Sequence, residues 1–324
     1  MPPKPGPPPP RRPSGRQLAR RRVLALVLLV LVLGGLGWLA VAAIGGGSTK
    51  PKAVASSAGT SSLIYSTVTR TTNGEATVTV IAMAKPFHVV FPEGFTIRDM
   101  AARVGAVKTI AKRERHVTPL LSSRGYLAAV RRATPPQCLR RRKTALEGFL
   151  FPATYEFFRQ TTNAQLVQDQ FAAFCENWHR VDLAYARKKK LTPYDVLIIA
   201  SMVEKETLSP DERPLVAAVI YNRLHARMAL GIDATLRYGL KIPPTESIRQ
   251  SQLDSHSPYN TRHRQGLPPT PIANPGLASM QAAAHPAKVD YLYFVHKPDK
   301  KHHFFTASYK AFKQYEAAHG YGQH

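Results

Sequence analysis

The chain has 324 residues, a formal net charge of +25 and an isoelectric point near 10.4. Hydrophobic residues make up 44% of it, which is enough to fill a core and excludes a chain that is disordered throughout. The charge predicts a polyanionic partner, which can be a nucleic acid, an anionic lipid surface or an acidic polymer of the cell envelope. Two cysteines, Cys138 and Cys175, are too few for a disulfide-rich scaffold but allow one bridge in an exported domain.

The N-terminus has the pattern of a membrane anchor. Residues 1–22 are rich in proline and arginine, contain no acidic residue and are predicted to be a disordered tail. The stretch between Val23 and Ile44 is uncharged, and as a helix it would span about 33 Å, enough for a bilayer core of about 30 Å. Because the basic residues precede it, we expect the tail in the cytoplasm and the remaining chain outside the cell. A cleaved signal peptide is the alternative, and the length of the apolar stretch argues against it.

An exported position disfavours nucleic acid as the partner and favours the cell wall or the lipid surface. Beyond the anchor, residues 45–62 are small and polar, which predicts a flexible tether. Residues 63–145 are predicted to form a β-hairpin around Asn73-Gly74, a strand at FHVVF and a helix capped by Thr96 with Asp99. We expect that helix to end near Gly105.

Residues 146–320 are predicted to form a second, mixed α+β domain. Its central helix should begin after Thr192, with Pro193 and Asp195 in its first turn, and run to about Thr207. A second helix should begin after Ser209, with Glu212 completing a capping box, and run to about Met228. Residues 164–181, before the central helix, have helical spacing, and Cys175 among them fits an ordinary core position. The C-terminal part is predicted to contain a helix at SMQAAAHPA, a hairpin of YLYFV with HHFF, and a closing helix over residues 309–318.

Two carboxylates, Glu204 and Glu206, stand in the last turn of the central helix, directly after an apolar run. They are two residues apart and therefore face different sides of the helix, and both sides are apolar, so periodicity does not choose between them. Apolar surroundings and the negative end of the helix dipole both favour a protonated carboxyl group, which is what a general acid needs. The alternative is a pair of solvated acids beside Lys205.

Other catalytic patterns are absent from the sequence. No H-x-x-x-H or H-E-x-x-H pattern predicts a metal site, no nucleophile elbow surrounds Ser201 or Ser209, and no glycine-rich phosphate loop occurs. Asp233 and Asn260 are polar residues in apolar or loop settings, where they can contact a substrate or shape a turn.

A set of short strings in this order resembles one known family. The strings IIASMVEKET, AAVIYNRL, DATLRYG, SPYNT, GLPPTPIANPG, AAAHPA and YLYFV are similar to those of the YceG-like endolytic murein transglycosylases. The resemblance covers residues 146–318 densely. The upstream string VVFPEGFTIRDMAARVG resembles the LysM-like module of that family, in a reduced form.

The resemblance implies a fold, an activity and a set of site residues. The fold is α+β: a single-pass anchor, a small LysM-like α/β module and a mixed α+β catalytic domain. The activity is cleavage of the β-1,4 bond between N-acetylmuramic acid and N-acetylglucosamine inside glycan strands, which leaves 1,6-anhydro-muramyl ends and needs no cofactor or metal. Glu206 corresponds to the catalytic acid, and the residues expected to shape the sugar site are Asp233, Tyr259, Asn260, Thr261 and Asn274. Residues 266–269 are expected to form one wall.

Four positions depart from the family pattern: Ala153, Gly231, Ala234 and Arg262. We expect them to change substrate contacts without removing Glu206. Arg262 is a hypothesised contact for an acidic lactyl group or peptide stem. The resemblance further implies the membrane-bound glycan polymerase and transpeptidase machinery as partners. Two alternative functions remain, which are a non-catalytic wall-binding or scaffolding protein of the same fold and, on charge alone, a tethered nucleic-acid binder.

Overall fold

A computed structural model describes residues 63–72, 75–139 and 145–321, and for residues 63–84 it describes the backbone alone. The predicted tail, the anchor between Val23 and Ile44 and the tether lie outside these residues. No helix in the described ranges combines the length and apolar character that crossing a bilayer requires. Runs of strands and runs of helices follow one another along the described chain, and all three strand pairs are antiparallel, in agreement with the α+β class.

The described chain begins with a β-hairpin, as predicted. Strand β1 (Leu63–Thr72) pairs antiparallel with β2 (Glu75–Ala84), and Thr72 lies opposite Glu75. This register leaves two residues, Asn73 and Gly74, to connect the strands, which is the spacing of a tight hairpin.

A small α/β unit follows the hairpin. Strand β3 (Phe87–Val90) leads into helices α1 (Ile97–Arg115) and α2 (Ser123–Arg132), and the chain returns as strand β4 (Thr154–Phe157). Strands β3 and β4 pair antiparallel, with Phe87 opposite Phe157. A strand upstream of residue 146 is thus paired with one downstream of it.

Helix α1 begins as predicted and ends later. Thr96 and Asp99 form the capping box, with the Thr96 side chain accepting from the Asp99 N–H. The predicted end at Gly105 is wrong, because the helix continues to Arg115 and stops at His116 in a left-handed conformation (φ 51°). Gly105 lies inside the helix at its contact with α2, where an added Cβ would be in ordinary contact with the Ser123 side chain at 3.4 Å.

A disulfide joins the segment before residue 146 to the segment after it. Cys175 in α3 (Asn163–Trp178) is bonded to Cys138 in a short 3-10 turn, Gln137–Leu139. Cys175 packs against the core and is also a cross-link, which its helical spacing alone did not indicate. The bridge closes a separation of 37 residues.

The core centres on one almost completely buried helix. After the short α4 (Ala184–Lys188), helix α5 (Pro193–Glu206) begins with the predicted Thr192–Asp195 capping box. It packs against α6 (Arg213–His225) and α9 (Leu277–Ala284). Eight consecutive residues of α5, 196–203, are at most 3% exposed. A helix that is apolar on all sides is stable only inside the protein. The charged residues that follow Val203 mark the turn where α5 leaves the core.

The predicted start of the next helix needs a correction. Residues Pro210–Glu212 form a 3-10 turn before α6, and the Ser209 hydroxyl donates to Asp211 at 2.5 Å instead of capping the helix. Glu212 forms no capping box. It is buried and accepts from both the backbone N–H and the ring Nδ1 of His303, at 2.9 and 2.6 Å. Helix α6 ends at His225, three residues before the predicted end.

The remaining elements cover the C-terminal half. They are α7 (Asp233–Leu240), α8 (Gln250–Leu253), β5 (Tyr293–His296), β6 (His303–Thr306) and α10 (Tyr309–Ala318). The predicted hairpin and closing helix are confirmed, because β5 pairs antiparallel with β6 and α10 has the predicted bounds.

Candidate functional site

The last turn of α5 presents three consecutive charged residues, and the first of them is structural. Glu204 has a side chain only 6% exposed, and its Oε2 accepts from the Gly276 N–H at the start of α9, at 2.9 Å. Its other oxygen lies 4.0 Å from Arg213 of α6. Glu204 therefore joins the ends of three core helices and has no face left for a substrate.

Lys205 turns toward the small α/β unit. Its Nζ lies 3.4 Å from the Gly94 carbonyl oxygen in the loop between β3 and α1. In the same loop, Glu93 lies 3.8 Å from Arg213. Lys205 and Arg213 thus hold the 93–95 loop against the end of α5.

Glu206 lies on the other side of the helix, beside the N-terminus of α7. It is half-buried, and the backbone N–H of Ala234 stabilises its charged form. The pKa of Glu206 is raised to about 7, chiefly by burial and also by the charge of Asp233, while the Ala234 N–H, Lys205 and Arg262 act in the opposite direction. A carboxyl group with a pKa near neutrality can donate and accept a proton under the same conditions.

Asp233 and Arg262 form an ion pair next to Glu206. The Nε and Nη2 atoms of Arg262 donate to one oxygen of Asp233, at 3.0 and 2.5 Å. Both side chains are almost half exposed, at 44% and 47%, so a ligand can reach them. The site therefore presents a titratable carboxyl, a second carboxylate and a guanidinium at one point of the surface.

Two further predicted site residues, Asn260 and Thr261, fix the loop that carries Arg262. Both are buried. The Asn260 amide donates to the carbonyls of Leu253 and Ser255, at 2.8 and 2.7 Å. The Thr261 hydroxyl accepts from the Ile232 N–H at 3.0 Å. These contacts tie the loop to the residue that precedes α7.

Tyr259 lies at the edge of the same loop. Its hydroxyl bonds that of Thr270 at 2.8 Å, and its ring meets the Tyr238 ring edge-on, with centroids 5.2 Å apart. Gly239 permits this approach, because an added Cβ would lie 2.6 Å from Tyr259. Tyr259 therefore connects α7 to Thr270, which follows the predicted wall of residues 266–269.

Asn274 bonds two segments of the chain that lie far from it in sequence. It is fully buried, and its side-chain oxygen accepts from the N–H groups of Gly148 and Leu150 at 2.9 and 3.0 Å. Its side-chain amide donates to the Phe95 carbonyl and to Glu147, at 2.9 and 2.8 Å. None of these contacts involves Glu206. The roles predicted for the five site residues remain predictions.

Sequence reasoning missed Glu147. It is 3% exposed and bonded to three donors, and burial raises its pKa to about 7. The signal that could have indicated a buried acid was its position in the apolar, aromatic string LEGFLF. A buried acid needs partners, and those of Glu147 lie far away in the sequence.

The cavities and the arrangement of metal-binding side chain types do not mark this site in the part of the chain that the structure describes. Two surface cavities of about 560 and 470 Å³ are lined by other residues, including Tyr221 and Arg213 respectively, and neither includes Glu206. Within the described ranges, no group of three or more His, Cys, Asp or Glu side chains is arranged to hold a metal.

Comparison with known proteins decides the family. The model of the YceG-like family matches residues 58–318. The chain belongs to the YceG-like family. A solved structure of a YceG-like protein from Listeria monocytogenes superposes with a TM-score of 0.57 at 30% identity, covering 72% of this chain and 77% of that one.

Two relatives share about a third of their aligned residues with this chain. It is 31% identical over 216 residues to an endolytic murein transglycosylase of Bacillus subtilis (strain 168), which covers 65% of this chain. It is 32% identical over 230 residues to a protein of the same name from Streptococcus pneumoniae (strain ATCC BAA-255 / R6), which covers 64% of this chain. The matches span 59% and 40% of those relatives' lengths.

Proposed function

We propose that this YceG-like chain is an endolytic murein transglycosylase. It would cleave the β-1,4 bond between N-acetylmuramic acid and N-acetylglucosamine within glycan strands and leave 1,6-anhydro-muramyl ends. The observation that carries the proposal is the position of Glu206, which is half-buried beside Asp233 with a pKa raised to about 7. The names of the Bacillus and Streptococcus relatives support the same activity.

One carboxyl group is sufficient for this reaction. Protonated Glu206 gives its proton to the glycosidic oxygen as the bond from that oxygen to the muramyl C1 breaks. The muramyl 6-hydroxyl then attacks C1, and the Glu206 carboxylate takes its proton, which restores the starting state. Because the attacking hydroxyl belongs to the substrate, its effective concentration is high and no water is consumed. Ordinary glycosidases instead need two carboxyl groups at set separations.

Asp233 and Arg262 would act on the sugar and on Glu206. A positive charge builds up near C1 in the transition state, and the exposed Asp233 carboxylate is placed to stabilise it. Arg262 limits the effect of Asp233 on Glu206 by neutralising part of its charge. Arg262 is also the group available to an acidic lactyl group or peptide stem.

The other predicted residues would shape the sugar site. Tyr259 would supply an aromatic face at its edge. Asn260 and Thr261 would hold the Arg262 loop, and Asn274 would hold the segments behind it. Their contacts to backbone groups support this role.

For location we propose an extracytoplasmic enzyme on a single-pass anchor between Val23 and Ile44, with a cytoplasmic N-terminus. The Cys138–Cys175 disulfide supports an oxidising compartment, where such bonds persist. The β3–α1–α2–β4 unit would be the LysM-like module. Glycan strands, membrane lipid and the glycan polymerase and transpeptidase machinery would be the partners, and no cofactor is required.

The test compares three proteins in detergent: the full chain, Glu206→Gln and Glu204→Gln. Each is incubated with purified glycan strands, and the products are analysed by mass spectrometry. We expect anhydro ends from the full chain and from Glu204→Gln, and none from Glu206→Gln. If the full chain binds strands but produces no new ends, the alternative of a non-catalytic wall-binding protein is correct.

A further inference from the structure

Glu147 is a buried carboxyl group that the proposed reaction does not use. It is 3% exposed, and no ion pair among the described residues includes it. A buried carboxylate without a cation is costly unless hydrogen bonds satisfy it. The position of its hydrogen-bond donors is therefore informative.

The donors come from three separate segments. One oxygen accepts from the Ile97 N–H at the first residue of α1, at 3.0 Å, and from the Asn274 amide, at 2.8 Å. The other accepts from the Tyr238 hydroxyl of α7, at 3.1 Å. Glu147 thus connects the small α/β unit, the segment before α9 and helix α7.

Helix α7 carries this connection to Glu206. Its eight residues form a rod of about 12 Å. It packs against α5, the helix that ends in Glu206, and Asp233 and Ala234 at its N-terminal end act on the charge of the Glu206 carboxylate. Near its other end, Tyr238 is held by Glu147. A restraint at one end of a short helix limits the movement of the other, and small displacements at a reacting group can cost up to about a hundredfold in rate.

We propose that Glu147 is a positioning residue for Glu206: through Tyr238 it holds α7 so that the Asp233–Ala234 end stays beside the Glu206 carboxylate. Because Ile97 shares the same carboxylate, the hold also depends on α1 being in place. The rate effect rests on the proposed transglycosylase function, whereas the effect on α7 does not.

The mutation Tyr238→Phe tests the connection with the smallest change, because it removes one hydroxyl and keeps the ring. Tyr155→Phe is the matched control, since it removes a buried hydroxyl that donates to the Phe151 carbonyl at 2.7 Å and makes no contact with α7. In the full chain we expect Tyr238→Phe to lower kcat about tenfold, with KM within about twofold of wild type, and Tyr155→Phe to leave kcat unchanged.

A double-mutant cycle with Glu147 tests whether the two residues act through each other. Glu147→Ala should lower kcat at least as much as Tyr238→Phe, and adding Tyr238→Phe to Glu147→Ala should lower kcat no further. Glu147→Gln should recover most of the loss, because its amide can accept from Ile97 and donate to the Tyr238 oxygen. Thermal unfolding of each variant is measured as well, so that kcat is compared only at temperatures at which the variant is folded. Wild-type kcat in Tyr238→Phe, or losses that multiply, would overturn the proposal.

Hydrogen–deuterium exchange gives a readout that does not depend on activity. We expect faster exchange of the amides of residues 233–240 in Tyr238→Phe and an unchanged rate in Tyr155→Phe. If the wild-type chain forms no anhydro ends, the proposed function fails, and exchange in α7 still decides the connection. An unchanged exchange rate in Tyr238→Phe would overturn the hold on α7 in either case.

Discussion

Glu204 and Glu206 lie two residues apart at the end of one helix, and their carboxylates have different partners. Glu204 accepts from the Gly276 N–H and lies near Arg213, inside the contact between core helices. Glu206 lies beside the Asp233–Arg262 pair, and the Ala234 N–H stabilises its charged form. The last turn of α5 thus places the structural carboxylate of Glu204 and the titratable carboxylate of Glu206 on different sides of the helix.

The pH dependence of activity should follow the pKa of Glu206. The first step needs the protonated acid, so kcat/KM should fall as the pH rises through about 7. The substitution Ala234→Pro tests this assignment, because it removes the N–H that stabilises the carboxylate, and proline is tolerated in the first turn of a helix. The pKa of Glu206 should rise in this variant, and the falling limb of the kcat/KM profile should move to higher pH. A limb that stays in place would show that another group controls it.

Asp233→Asn should move the same limb in the opposite direction. Removing the carboxylate removes a charge that raises the pKa of Glu206 and leaves the Arg262 cation, which lowers it. Arg262→Ala should raise the pKa. The measurement is again kcat/KM against pH for the two variants and wild type. Shifts of the same sign in both variants would contradict the electrostatic account of the site.

Arg262→Ala also tests the predicted contact with an acidic part of the substrate. If Arg262 binds a lactyl group or peptide stem, the variant should bind cell-wall material more weakly, as measured by co-sedimentation at fixed salt. Arg264→Ala, which removes a neighbouring charge of the same loop, is the matched control for general attraction. Unchanged wall binding in Arg262→Ala would count against the contact.

The stability of the protein should change when Glu206 is replaced. The pKa of Glu206 is about 7 in the folded protein against an ordinary value of 4.5. The unfolded chain therefore releases this proton at lower pH, and the group destabilises the fold increasingly from pH 4.5 up to about 7. Glu206→Gln should be more stable than wild type above pH 7, by about 1–3 kcal/mol, and the difference should shrink toward pH 4.5. Denaturant unfolding at both pH values measures it. A variant that is less stable than wild type at pH 8 would contradict the buried position of Glu206.

Local signals were sufficient to predict where elements begin. The Thr96–Asp99 and Thr192–Asp195 capping boxes were read correctly because both partners lie within four residues. Glu212 shows the limit of such reasoning. It has the spacing of a capping residue, but its partner His303 is 91 residues away. The helix end at Gly105 was wrong for a similar reason, since packing between α1 and α2 outweighs the cost of about 1 kcal/mol for glycine within a helix.

The site was predictable in part. Spacing identified the two carboxylates at the end of α5, and the resemblance to the family chose Glu206. The surroundings of Glu206 depend on residues 27 to 56 positions away, such as Asp233 and Arg262, and no helical period relates them. Glu147 was missed because its partners Tyr238 and Asn274 meet it only in the folded chain.

Loss of the Cys138–Cys175 bridge should destabilise the protein without changing its chemistry. A cross-link that closes a separation of 37 residues constrains the unfolded chain by about 3–4 kcal/mol. The double variant Cys138→Ser/Cys175→Ser should unfold at lower denaturant concentration and retain the kcat of wild type at low temperature. The matched control is the wild-type chain unfolded with a reducing agent, which should give a similar midpoint. Equal stability with and without the bridge would contradict a structural role.

The central claim is that one carboxyl group, Glu206, moves a proton while the substrate's own hydroxyl replaces water. Digestion of purified glycan strands in heavy-oxygen water tests it directly, with the new ends analysed by mass spectrometry. The account predicts anhydro-muramyl ends without the heavy isotope from the wild-type chain, and no new ends from Glu206→Gln. Reducing ends that carry heavy oxygen, or anhydro ends formed by Glu206→Gln at the wild-type rate, would contradict it.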